Sequence, residues 1–99
     1  MTKVDSLTYV VFVIPAPNNR WEAICPSLGC SAVASTATGA IEATRAKMIA
    51  ALTELKAVGR SAPIESGYAV ADEMEERLRI QDESGLPISM ATHEVRVDI

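Results

Sequence analysis

Residues 20–36, RWEAICPSLGCSAVAST, constrain the fold more than any other stretch of the chain. A strand-like run reaches Pro26, turns through Ser27, Leu28 and Gly29, resumes at Cys30 and stops at Thr36, where a long helical pattern begins. Thr36 suits an N-cap, because its hydroxyl can accept from an otherwise orphaned amide of the first turn. From Ala37 to Val58 the apolar residues Ile41, Met48, Ile49, Leu52, Leu55 and Val58 recur at helical spacing. Ala40, Thr44 and Ala51 fill the same face, and Gly59 follows as a stop. One apolar stripe on a helix this long predicts that it lies across a sheet.

The strands of that sheet are legible on either side. Ser6 to Ile14 alternates with both faces apolar: Leu7, Tyr9, Val11 and Val13 on one, Thr8, Val10, Phe12 and Ile14 on the other. A strand apolar on both faces belongs in the middle of a covered sheet. Pro15-Ala16-Pro17-Asn18-Asn19 reads as a turn, since proline removes ladder donors and asparagine tolerates left-handed geometry. Arg20 to Cys25 returns as a second strand, and Cys30 to Ser35 as a short third one.

Beyond Gly59 the pattern thins. Ala62-Pro63-Ile64 reads as a connector and Gly67 to Ala71 as a brief extended segment. Asp72 to Ser84 reads as a second helix with acids in its first turn and Gly85 past its end. Its apolar residues are few, chiefly Met74, Leu78 and Ile80, so it should dock lightly. Leu86-Pro87-Ile88 reconnects to Glu94–Ile99, where Val95, Val97 and Ile99 point inward and Glu94, Arg96 and Asp98 point out. The expectation is an α+β domain spanning 1–99, with a three- to four-stranded, mainly antiparallel sheet, one long helix and a short second one.

Charge separates the function classes. The net charge of −4 argues against a grip on a phosphate backbone, so no direct nucleic-acid binding is expected. From Glu65 to Glu83 there are seven carboxylates against Arg77 and Arg79, a local −5 on a remainder of +1. Such a segment is either a solvated helix face or a surface for a basic protein partner, with Glu73 and Glu76 as candidates. Two cysteines are too few for a disulfide scaffold, no secretory signal precedes them, and no apolar run spans a bilayer. A reduced, cytoplasmic protein without a membrane segment is expected.

No catalytic or metal-binding constellation stands out, and neither an enzyme nor a cofactor is expected. Cys25, Cys30 and His93 form a metal set only on paper: C-x4-C is a weak spacing, and buried thiols also pack as small hydrophobes. Ser35–Gly39 at a helix start reads as a cap rather than an anion cradle. Trp21 suits either a binding hot spot or the core, and Arg20 and Glu22 beside it face the other way as surface candidates. Val95, Val97 and Ile99 on a regular terminal strand are candidates for an oligomer interface.

The succession of strand, Pro-rich turn, strand, P-x-L-G-C, short strand, Thr cap and long helix resembles the HicB-like antitoxin family. The resemblance is carried by Tyr9, Val11, Phe12, Trp21, Ala23, Pro26, Leu28, Gly29, Cys30, Thr36 and Ala40. It covers 8–59 and, more loosely, Gly85, Pro87 and the VRVDI ending. It implies an incomplete ribonuclease-H-like fold in which residues 60–84 are an insertion. Departures include Ile14 running straight into Pro15 without the usual acid, Ser27 at the turn, and Gly39 where a glutamate would complete a capping box.

That resemblance implies a homodimer or higher homo-oligomer that neutralises a small, basic, HicA-type mRNA interferase toxin by occlusion. The alternative is an orphan HicB-like domain with a scaffold or small-ligand role. Ribonuclease-H catalysis needs carboxylates converging on a metal pair, one of them on the first strand, and Ser6–Ile14 has none. No DNA-binding tail is expected after Ile99.

Overall fold

The first two strands form the centre of the sheet. The computed structural model describes residues 6–63, 67–85 and 90–98. Strand β1 spans Ser6–Ala16 and β2 spans Arg20–Cys25. They pair antiparallel from Phe12 opposite Ile24 to Ala16 opposite Arg20. The turn is therefore only Pro17-Asn18-Asn19, shorter than the sequence implies. Both asparagines take left-handed backbone, φ 64° and 57°, which their short polar side chains tolerate. Pro15 stays in the strand because it lies past the end of the neighbouring β4, so its missing donor disturbs little of the ladder.

Strand β3, Cys30–Ala34, pairs antiparallel with β2, with Cys25 opposite Cys30. The Pro26–Gly29 turn closes with the Gly29 amide donating to the Pro26 carbonyl at 3.3 Å, Gly29 at φ 65°. Helix α1 follows over Ala37–Ala57, and its Thr36 cap accepts from the Gly39 amide at 2.9 Å. Gly39 has a further reason to be glycine. A Cβ there would stand 2.9 Å from Thr36 Oγ1 and 3.4 Å from Ala34 Cβ.

Helix α1 covers one face of the sheet. Ala40, Thr44, Met48 and Leu52 are buried against Tyr9, Val11, Val13, Ala23, Cys25, Val95 and Val97, with Ile41, Ile49 and Leu55 at the margin. Thr44 donates to the Ala23 carbonyl at 3.1 Å and the Tyr9 hydroxyl to the Pro63 carbonyl at 2.6 Å, so the hydroxyls of both buried side chains are satisfied. Val58 leaves the expected stripe and is 65 % exposed. It is the C-cap, where the chain unwinds into Gly59 at φ 75°.

Helix α2, Gly67–Ser84, lies on the opposite face. Residues 67–71 are its first turn and not an extended segment, so the acids begin in the second turn and the first carries none. Tyr68 to Ala71 carry no helix breaker, and Gly67 sits at the start, where it costs little. Phe12, Ile14 and Ile24 are buried on this face, with Met74 and Met90 packed against them.

Strand β4, Ala91–Asp98, pairs antiparallel with β1 from Ser6–Asp98 to Val13–Ala91. The order β3-β2-β1-β4 leaves β1 central, as its two apolar faces require. The domain is thus α+β with a wholly antiparallel sheet between two helices. Among the described residues no helix is long and apolar enough to cross a membrane. Leu86-Pro87-Ile88, Ile64 and Ile99 lie outside the described residues.

Candidate partner-binding site

The face of the sheet under α2 divides into a dry part and a wet part. Phe12, Ile14 and Ile24 lie in the dry part. Where β1 and β4 extend beyond it, Ser6, Thr8, Glu94, Arg96 and Asp98 are all exposed. Helix α2 brings few apolar side chains, and an ionic bridge fixes it in addition. Arg77 reaches Glu22 on β2 at 3.2 Å and Glu73, one turn earlier on its own helix, at 3.1 Å.

Two hollows open on either side of that bridge, and Arg77 lines both. One, of about 290 Å³, lies among Ile24, Pro26, Ser31, Ala69 and Glu73. The other, of about 400 Å³, lies among Ile14, Pro15, Pro17, Ile80 and Gln81. A second arginine, Arg79, pairs with Glu76 and, at 2.8 Å, with Glu83. The Arg79 hydrogen bond holds the Glu76 carboxyl below the usual carboxylate range. Asp72, Glu75 and Asp82 are exposed, and among the described residues none of the three has an ion pair.

The candidate residues separate in space. Glu22 and Glu73 converge on Arg77, so both carboxylates are engaged within the chain. Glu76 is paired on the outer side of α2, and Arg20 is exposed at the hairpin end. Trp21 faces the other way and packs half-buried against the α1 cluster, which favours its core reading. Val95 and Val97 are 7 % and 0 % exposed in the chain's own core. What β4 leaves open is its backbone edge and the polar residues between the valines.

Both sheet edges carry a basic side chain from α1. Lys47 Nζ donates to the Ser31 carbonyl on β3 at 2.7 Å, and Arg45 Nε donates to the Arg96 carbonyl on β4 at 3.2 Å. These two contacts have no signature in the chain's residue pattern, because nothing in a helical charge pattern shows which cation ends beside a strand edge. The Glu73–Arg77 spacing of four, in contrast, was a readable helix pair.

The two thiols and the histidine do not assemble. Cys25 and Cys30 form no disulfide and face each other across β2 and β3, whereas His93 pairs with Val11 on the far side of β1. Burial pushes the Cys30 thiol above its ordinary value, with Lys47 drawing it part of the way back. A thiol so placed stays protonated and a poor nucleophile or ligand at neutral pH.

No family model matches the chain, nor does any curated protein or solved structure.

Proposed function

We propose that this chain is a partner-binding module of the HicB-like antitoxin kind, which neutralises a small basic mRNA interferase by occluding it. The observation that carries this reading is the acidic outer side of α2, where Asp72, Glu75 and Asp82 stand exposed and, among the described residues, without ion pairs. An acidic surface on a nearly neutral body steers a basic protein. Arg77 keeps that surface in place by holding α2 to β2. The reading has no catalytic step, no cofactor and no nucleic-acid contact. Homo-oligomerisation through β4 belongs to it, as does a cytoplasmic location.

The test is co-expression with the product of an adjacent reading frame that encodes a small basic protein. Restored growth, and stoichiometric suppression of RNA cleavage in vitro, are the expected results. Cleavage unaffected by an excess of this chain overturns the reading. The hollows beside Arg77 favour a second reading, a small-ligand or scaffold domain, since their volumes reach the lower range of ligand sites. Thermal stabilisation by a small anionic compound, abolished in Arg77→Met, would select it.

A further inference from the structure

We infer that β4 pairs with the β4 of a second copy about a two-fold axis at Val95, joining the two sheets edge to edge. This rests on the homo-oligomer in the reading above and adds its register. Strand β4 is an outer strand of eight residues without Pro or Gly, and such an edge invites pairing. The other outer strand, β3, has only five residues and offers a shorter ladder.

The register follows from the ladder. Arg96 offers its carbonyl to Arg45 and so turns it away from β1. By the alternation of an antiparallel strand, Thr92, Glu94 and Asp98 turn their backbone groups the same way. Outward residues must meet outward residues, so a two-fold axis falls on a residue and not between two.

Charge then selects among the possible centres. An axis at Glu94 sets that carboxylate against its own copy. An axis at Arg96 sets Arg96 against itself and Glu94 against Asp98. An axis at Val97 matches Arg96 with Asp98 but leaves only a short stub of ladder. An axis at Val95 uses the strand from Thr92 to Asp98 and sets Glu94 opposite Arg96 twice. Opposite charges facing across a ladder stabilise it, and like charges weaken it.

The side chains are free to do this. Glu94 and Arg96 are exposed. The Arg96 guanidinium holds Ser6 and Asp98 through Nε and Nη2, which leaves Nη1 for a carboxylate across the axis. The Arg96 carbonyl has two lone pairs, so it can keep Arg45 while accepting from a second strand.

Charge reversal combined with sedimentation velocity at micromolar concentration tests the inference. Glu94→Arg and Arg96→Glu should each weaken dimerisation about tenfold, the combined effect of two facing pairs at ordinary cross-strand strength. An equimolar mixture of the two variants should recover the dimer, because each then supplies the charge the other lacks.

Val95→Cys in a Cys30→Ser background should cross-link to itself under mild oxidation. A non-hydrogen-bonded pair brings the two Cα atoms to about 4.5 Å, within disulfide reach. Val97→Cys should not cross-link. A monomer at these concentrations overturns the inference, as does a dimer indifferent to both reversals or one cross-linked through Val97→Cys. Partner neutralisation is measured separately, so a monomer that still suppresses RNA cleavage would sink the register and leave the antitoxin reading standing.

Discussion

Arg77 and Glu22 join the second helix to the sheet across a 3.2 Å ion pair, with Glu73 on the other side of the same guanidinium. Both partners are half-buried, so the pair is screened less than a surface pair but keeps much of its water. Arg77→Met and Glu22→Gln should each destabilise the protein, with a coupling between them of roughly 0.5–1 kcal/mol. A double-mutant cycle in urea reads this, and faster amide exchange confined to α2 should accompany it. A coupling of zero would mean that the ion pair does not hold the helix.

Glycine at position 39 is set by its neighbour. Replacing a helical glycine with alanine ordinarily gains about 1 kcal/mol. Here the new Cβ meets the Thr36 hydroxyl that caps the helix, and a lost cap costs about 1 kcal/mol. Gly39→Ala should therefore be neutral or destabilising in the native chain, yet stabilising in a Thr36→Gly background. Denaturant midpoints of the four proteins decide it; equal gains in both backgrounds refute it.

Leu52 is 1 % exposed beneath α1, whereas Val58 is 65 % exposed one residue past the helix. Leu52→Ala should cost about 2–5 kcal/mol, and Val58→Ala less than about 0.5 kcal/mol. Similar losses at the two sites would place the buried stripe elsewhere.

The Asp98 carboxyl is held below the usual carboxylate range, first by the Ser6 hydroxyl and then by Arg96. A depressed folded pKa adds stability above the unfolded value, and that stability is lost as pH falls through the folded one. Wild-type protein should thus lose this contribution below about pH 4, where free aspartate begins to protonate. Asp98→Asn should flatten that part of the stability profile and leave the shape above about pH 5 unchanged. An unchanged slope in acid would refute the Ser6–Asp98 contact.

Purified protein should cleave neither RNA nor DNA with Mg²⁺ or Mn²⁺, because β1 offers no carboxylate to a metal pair. Cleavage that co-purifies with the chain and disappears on mutating a single acid would overturn this.

The α1 side of the fold was legible because its signals agree: the Thr36 cap, the stripe from Ala40 to Leu52 and the alternation in β1 all point to one packing. Where two local signals conflict, tertiary context decides. Pro15 argues for a turn, but its place past the end of β4 lets it remain in the strand. Tyr68–Ala71 has no helical stripe of its own and takes its helix from α2, which it begins. The candidate site was less legible. Glu22 and Glu73 lie 51 positions apart in sequence, and only the passage of α2 across the sheet brings them to the same arginine. Lys47 and Arg45 meet backbone carbonyls, partners that no side-chain pattern encodes.

The number of helices between β3 and β4 acts as a parity. Strands β1 and β3 run the same way, both opposed to β2. A single helical pass from β3 would deliver the last strand parallel to β1, and a second pass reverses it. Residues 60–85 are therefore not a decoration that could be trimmed to a short linker. Deleting α2 would change the polarity of the outermost ladder, exchange its perpendicular hydrogen bonds for slanted ones, and present to any neighbour an edge of opposite sense.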